Sequence, residues 1–154
     1  MPADEWKMPL LAKVYEAFSA VVDGRVTLHG NSANVLSSDN KKEYLIAWEG
    51  DVYSSNDNAS YWQGSLGYPV IAVLMMQGII TYDSEIAGLF SGIEWKTIIR
   101  KLKNDYTAAA SLVLEQLKEN GIEIESVRQE ANRVYEQISA LKIRRKRGSA
   151  RPPA

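Results

Sequence analysis

The chain has 154 residues, 45% hydrophobic and 24% charged, a composition typical of one globular domain with a core of its own. It contains no cysteine, which excludes disulfides and thiolate metal sites, and its longest apolar run, residues 68–76, is too short to span a membrane. The first seven residues are polar and acidic, unlike a secretory signal, so we expect a cytoplasmic protein.

Charge is distributed unevenly along the chain. The sequence has 18 basic and 19 acidic residues, a net charge of −1. Six of the basic residues fall in the last thirteen positions, where no acidic residue lies, so the other 12 basic and 19 acidic residues give the rest of the chain a net charge of −7. A basic end on an acidic body favours a charged partner, either nucleic acid or an acidic protein.

The first half of the chain predicts a helix followed by a small sheet. Pro9 suits the first turn of a helix, and apolar residues then recur at steps of three and four as far as Val22. Alternation predicts three strands, at residues 25–29, 33–37 and 43–48, which short turns join into an antiparallel meander. The polar residues 50–58 predict a loop.

The second half predicts helices at residues 59–66, 69–77, 84–90, 93–119 and 124–141. The predicted fold class is therefore α+β: an N-terminal helix, a small antiparallel β-meander and a C-terminal bundle of four to five helices. We expect a single globular domain over residues 1–143 and a basic disordered tail over residues 144–154.

Residues 78–103, GIITYDSEIAGLFSGIEWKTIIRKLK, resemble a helix-turn-helix. The resemblance rests on Glu85-Ile86-Ala87 in the first helix, Gly92-Ile93 in the turn, and a second helix with Thr97, Ile98 and Leu102. It departs from the motif by one extra residue in the turn and by more predicted helix in place of a β wing. The resemblance implies that the second helix contacts DNA through its exposed residues. The alternative is an ordinary pair of packed helices with a solvated basic face.

The residues expected to bind nucleic acid or another partner come from this segment and from the basic tail. They are Lys96, Thr97, Arg100, Lys101, Lys103, Lys142, Arg144, Arg145, Lys146 and Arg147. Positive side chains at a helix end contact phosphates, although a solubilising tail has the same composition. Gly64-Ser65-Leu66-Gly67 matches a GxxG phosphate clamp, but a sharp turn between two helices explains it better.

The last predicted helix carries apolar residues at spacings of 3, 4, 3, 4 and 3, from Ile124 to Leu141. This spacing suits packing against another helix, either inside the same domain or across a homodimer. We expect a homodimer.

Catalytic residues are hard to find in this sequence. His29 is the only histidine, so neither a histidine metal site nor a nucleophile paired with histidine can be assembled. Glu49, Asp51 and Asp57 are oxygen donors that either gather around a cation or are simply solvated. We therefore predict a small non-catalytic binding protein, nucleic-acid-associated or regulatory, with no catalytic, cofactor or metal residues assigned. The alternatives are a structural protein-interaction homo-oligomer and a small enzyme with a carboxylate site around residues 49–58.

Overall fold

A computed structural model describes residues 4–154. Its elements in chain order are β1 (Asp4–Glu5), α1 (Ala12–Val22), β2 (Val26–His29), β3 (Ser32–Leu36), β4 (Glu43–Glu49), β5 (Val52–Ser55), a π-helix (Ala59–Gln63), α2 (Tyr68–Met76), α3 (Ser84–Gly88), α4 (Trp95–Lys101), α5 (Tyr106–Glu119), α6 (Ile124–Ser139) and β6 (Arg144–Arg145). The protein is α+β, as its sequence predicts.

The predicted three-stranded meander is wrong, because the strands form one six-stranded mixed sheet in the order β1-β6-β5-β4-β3-β2. Strands β2 to β5 are antiparallel neighbours, β6 pairs in parallel with β5, and β1 pairs antiparallel with β6. The meander therefore has a fourth strand, β5. Strands β6 and β1, from near the two ends of the described chain, then extend the sheet beyond β5.

The extra strands lie where the sequence pattern is weakest. Residues 52–55 were predicted to form a loop. In the structure Tyr53 and Ser55 are buried while Val52 and Ser54 are half-buried, which is the alternation of a strand. Only one of the two buried positions, Tyr53, carries a large apolar side chain, so the pattern is weak in the sequence. Beyond them, the Arg144 N–H donates to the Asp51 carbonyl at 2.8 Å, and the Lys146 N–H donates to the Tyr53 carbonyl at 2.9 Å. The first residues of the predicted tail therefore pair with the sheet. A strand of two residues is too short to show an alternating pattern, so the sequence could not reveal it.

The core is centred on α2, which packs against β2 and β4 on one side and α1 on the other. Residues 70–74 of α2 are completely buried, which fits a helix that is apolar on all faces. Helix α1 also packs against α3, α5 and α6. The helices therefore do not form the separate bundle that the sequence predicts.

The long helix expected over residues 93–119 is two helices, α4 and α5. Lys103 and Asn104 between them adopt left-handed backbone angles, with φ of 56° and 65°. Asp105 then begins α5, because its side chain accepts a hydrogen bond from the Ala108 N–H at 2.9 Å. Residues of α4 line the site described below.

The apolar stripe of α6 belongs to the core of its own chain. Val127, Ala131, Val134 and Ile138 are each at most 3% exposed. The spacing that suggested a dimer seam is therefore used in packing within the domain, and the homodimer stays a prediction. No helix within residues 4–154 is long and apolar enough to cross a membrane.

Candidate ligand-binding cavity

A cavity of about 540 Å³ opens between α1, the segment from Asp57 to Pro69, and α4. Its polar and aromatic lining comes from separate parts of the chain, because α1, β4 and α4 all face it. Six charged residues line it: Lys13, Glu16, Arg25, Asp57, Lys96 and Arg100. The volume lies in the range that holds a small organic ligand.

Two charged residues form the buried floor of the cavity. Glu16 of α1 is 5% exposed and Arg25, just after α1, is 6% exposed. The Glu16 Oε2 atom lies 3.7 Å from Lys13 Nζ, an ion-pair distance, but it accepts no hydrogen bond from the described residues. Buried polar atoms nearly always have a hydrogen-bond partner, so this exception calls for an explanation.

Arg25 is also incompletely paired. Its Nη1 atom donates to the Leu36 carbonyl at 2.7 Å, and its Nε atom lies 3.9 Å from Asp23 Oδ2. Neither Nε nor Nη2 has a hydrogen-bond acceptor among residues 4–154. A buried donor without an acceptor costs about 1–3 kcal/mol, more when it is charged. The floor therefore holds both an unused acceptor and two unused donor atoms.

Burial sets the protonation of the groups around this floor. It raises the pKa of Glu16, and the nearby Lys13 and Arg25 charges offset only part of that rise. Burial, with the Asp57 and Glu16 charges, raises the pKa of Tyr44 to about 12. The pKa of Tyr68 is raised too, chiefly by burial. Both tyrosines therefore stay neutral and can act as hydrogen-bond donors.

One wall of the cavity is built around Asp57, which is buried at the start of the π-helix. Its Oδ1 accepts a hydrogen bond from Ser55 Oγ, and its Oδ2 accepts one from the Ser60 N–H at 3.1 Å. The backbone of Gly67 passes so close that a Cβ at this position would lie 2.6 Å from the Asp57 Cγ. The glycine is therefore needed for close packing against a carboxylate, which explains the GxxG match without phosphate.

The mouth of the cavity is basic. Lys96 is half-buried and Arg100 is exposed, and neither forms an ion pair within residues 4–154. Partial burial and the neighbouring charge of Lys42 lower the pKa of Lys96. The Lys96 N–H donates to Ser38 Oγ at 3.0 Å, which fixes the start of α4 against the turn before β4.

The structure separates the predicted partner-binding residues into three groups. Lys96 and Arg100 line the cavity and form the first group. The second group consists of Thr97, which is half-buried beside Glu94, and the exposed Lys101 and Lys103. Helix α3 packs chiefly on α1 and α4 packs on α5, so the packing of a helix-turn-helix pair is not evident. The helix-turn-helix assignment stays a prediction.

The third group is the C-terminal basic segment, where the arginines contact the domain. Arg144 binds the Asp51 carboxylate, and Arg145 donates to the Ser60 carbonyl at 2.9 Å. Arg147 donates to the Tyr61 carbonyl and lies over the Tyr61 and Trp62 rings. Lys142 and Lys146 are exposed and make no ion pair among the described residues. Only part of the expected positive surface is therefore free.

The three carboxylates considered for a cation are not gathered. Glu49 is exposed, Asp51 pairs with Arg144 at 3.1 Å, and Asp57 is buried with two hydrogen bonds of its own. The bond from Arg144 lowers the pKa of Asp51. Over residues 4–154, no group of three or more His, Asp or Glu side chains is placed to hold a metal ion.

The sequence analysis missed Glu16 and Arg25. The apolar stripe of α1 runs through Val14, Tyr15 and Phe18, which predicts that Glu16 faces solvent. The residue is buried because α1 is surrounded by four other helices, an arrangement that no local pattern encodes. The only signal in the sequence is a pair of opposite charges, with Glu16 within α1 and Arg25 in the turn that follows it.

A family model described as Uncharacterised conserved protein UCP014422 matches residues 6–144. The chain belongs to this family. The match includes every residue that lines the cavity and ends at Arg144, within β6. Neither a curated protein nor a solved structure matches the chain significantly.

Proposed function

We propose that this protein binds a small polar molecule in the cavity, with Glu16 and Arg25 as the groups that recognise it. The observation that carries the proposal is the pair of charged side chains on the cavity floor, each more than nine-tenths buried and each with unused hydrogen-bonding atoms. A ligand that supplies the missing partners would turn an energetic cost into a set of charge-assisted hydrogen bonds.

The surroundings of the floor support a binding role. Asp57 and Gly67 form a closely packed wall, so the cavity is held in shape by the fold. Trp95 and Tyr106 add aromatic surface, and Trp95 is fixed by a hydrogen bond from its indole N–H to Ser19 Oγ at 2.8 Å. Apolar walls with a few placed polar groups are the usual form of a small-molecule site.

The proposal is tested by measuring Tm with a set of anionic, neutral and cationic metabolites. A compound at 100 times its Kd stabilises the native state by about 2.7 kcal/mol, which is easily measured. The Glu16→Gln and Arg25→Met variants should reduce the shift, whereas Glu115→Gln, an exposed change on α5, should keep it unchanged. If no compound raises Tm, or if both cavity variants respond like the wild type, the proposal is wrong.

Nucleic-acid binding is the second candidate, because several exposed cations lie free of ion pairs. Arg100, Lys101 and Lys103 follow one another on and just after α4, and Lys142 and Lys146 flank β6. Such a surface would bind phosphates in a salt-dependent manner. Anisotropy titrations with duplex and single-stranded oligonucleotides at two salt concentrations test it, and the absence of binding at low salt would eliminate this candidate.

Assembly and location are separate proposals. We keep the homodimer as an expectation without an assigned surface, since the α6 stripe is buried in the domain. Sedimentation at micromolar concentration decides it, because a monomer mass that does not change with concentration rules the dimer out. The cytoplasmic location stays a prediction.

A further inference from the structure

We infer that the ligand is a small anion that also carries a hydroxyl group, with its carboxylate or phosphate at the mouth near Lys96 and Arg100 and its hydroxyl at Glu16. This inference rests on the proposed function and names the chemical class of the molecule that the cavity takes.

Positive charge is in excess around the cavity. Four cationic side chains line it, against the two carboxylates of Glu16 and Asp57. Close to the mouth, Lys42 lowers the pKa of Lys96 and Asp39 raises it, so cations still outnumber carboxylates by five to three. A half-buried cluster of like charges is stabilised when an anion binds among them. A cationic ligand would add to the repulsion.

Hydrogen-bond donors are in excess as well. Both Asp57 oxygens already accept hydrogen bonds from the wall, so Glu16 is the carboxylate with an unused oxygen. Arg25 has two donor atoms without acceptors, and the ammonium groups of Lys13 and Lys96 face the same space. A carboxylate or phosphate brings several acceptor oxygens to Lys96 and Arg100 at the mouth. At the floor, a hydroxyl oxygen accepts from Arg25 while its hydrogen is donated to Glu16.

The depth of the residues orients the ligand. Arg100 is exposed and Lys96 half-buried, so the anion binds at the mouth, where its desolvation is incomplete. Glu16 is at the floor, where a second anion would be repelled and a hydroxyl would be accepted. The Lys13 ammonium, held 3.6 Å above the Tyr106 ring, lies beside the Glu16 carboxylate and limits the repulsion between the two ends of the site.

The test uses six probes in calorimetric titrations at constant ionic strength: glycerol 3-phosphate, 3-hydroxybutyrate, inorganic phosphate, acetate, glycerol and putrescine. Glycerol 3-phosphate should bind more tightly than phosphate and 3-hydroxybutyrate more tightly than acetate, and glycerol and putrescine should not bind. Lys96→Met should lower the affinity for the anions about tenfold, because the variant loses one charge-assisted hydrogen bond. Lys118→Met, an equal change on the exposed end of α5, should leave affinity unchanged.

Glu16→Gln is the second cavity variant in this calorimetric test. It should reduce the preference for glycerol 3-phosphate over inorganic phosphate while retaining anion binding at the mouth. Binding of anions that Lys96→Met and Glu16→Gln leave unchanged would overturn the inference, as would binding of none of the four anions. If glycerol or putrescine binds instead, in a manner that Glu16→Gln abolishes, the ligand class is wrong and the proposed function stands.

Discussion

Replacing Gly67 with alanine tests the cavity wall at its most restricted point. In the native backbone the added Cβ would lie 2.6 Å from the Asp57 Cγ, and closer still to Oδ2. Real Cβ atoms do not approach other heavy atoms so closely, so the carboxylate or the start of α2 must move. Gly67 also precedes the first residue of α2, where alanine is a poorer cap than glycine.

The expected cost follows from the contacts that Asp57 would lose. Its carboxylate accepts one hydrogen bond from Ser55 Oγ and one from the Ser60 N–H. A hydrogen bond to a charged group contributes about 1.5–3 kcal/mol, and the poorer cap adds roughly 1 kcal/mol. We expect Gly67→Ala to lower the free energy of unfolding by about 2–4 kcal/mol.

Urea denaturation of four proteins measures this effect: the wild type, Gly67→Ala, Asp57→Ala and the double variant. Without the carboxylate the clash disappears, so Gly67→Ala should cost only about 1 kcal/mol in the Asp57→Ala background. Gly88→Ala is the matched control, because no atom lies within 4 Å of its added Cβ and its backbone is helical. A Gly67→Ala cost below about 0.5 kcal/mol, or one equal in both backgrounds, would refute the reasoning.

Three further predictions concern charge. Because burial raises the pKa of Glu16 above its ordinary value of 4.5, the native state keeps this proton to higher pH than the unfolded chain, and stability is lost as the pH rises. Glu16→Gln removes that loss, so urea titrations should show the variant gaining stability relative to the wild type as the pH rises above about 4.5, whereas a difference that does not change with pH would contradict the raised pKa. Arg145→Ala should lower the free energy of unfolding by about 1–2 kcal/mol, since its guanidinium binds a π-helix carbonyl, whereas Arg151→Ala, an exposed change in the same segment, should have no effect. If nucleic acid binds, neutralising Lys142 and Lys146 should flatten the log–log salt slope by up to about 1.8, and an unchanged slope would exclude both lysines from the contact.

The elements with strong periodicity were predictable from the sequence. The α1 stripe, the three alternating strands and the 3-4 spacing of α6 each correspond to an element of the structure. The pairing of β6 with β5 was not predictable, because a parallel contact between residues 52–53 and 144–145 depends on where α6 ends. The break before α5 was missed because Lys103 adopts a left-handed conformation with no glycine to mark it.

The candidate site was less accessible to sequence reasoning than the fold. Lys96 and Arg100 stood out as a cationic cluster predicted to bind nucleic acid or another partner, and only the structure shows that both also line a cavity. Glu16 and Arg25 became significant only when burial was known, since their missing hydrogen-bond partners are a property of tertiary packing. Composition and spacing describe charge, but they do not show which charges are left unpaired.

The most direct test of the cavity's function is an NMR titration of ¹⁵N-labelled protein with the compound that raises Tm most. Trp95 lines the cavity, and its indole N–H, which hydrogen-bonds to Ser19, is one of four tryptophan indole reporters in the chain. We predict saturable shifts of this indole signal and of the Gly67 and Lys96 amides, because both residues also line the cavity. Shifts confined to the exposed Trp62 indole and the C-terminal segment, or no shifts at all, would contradict the proposal that this cavity binds the ligand.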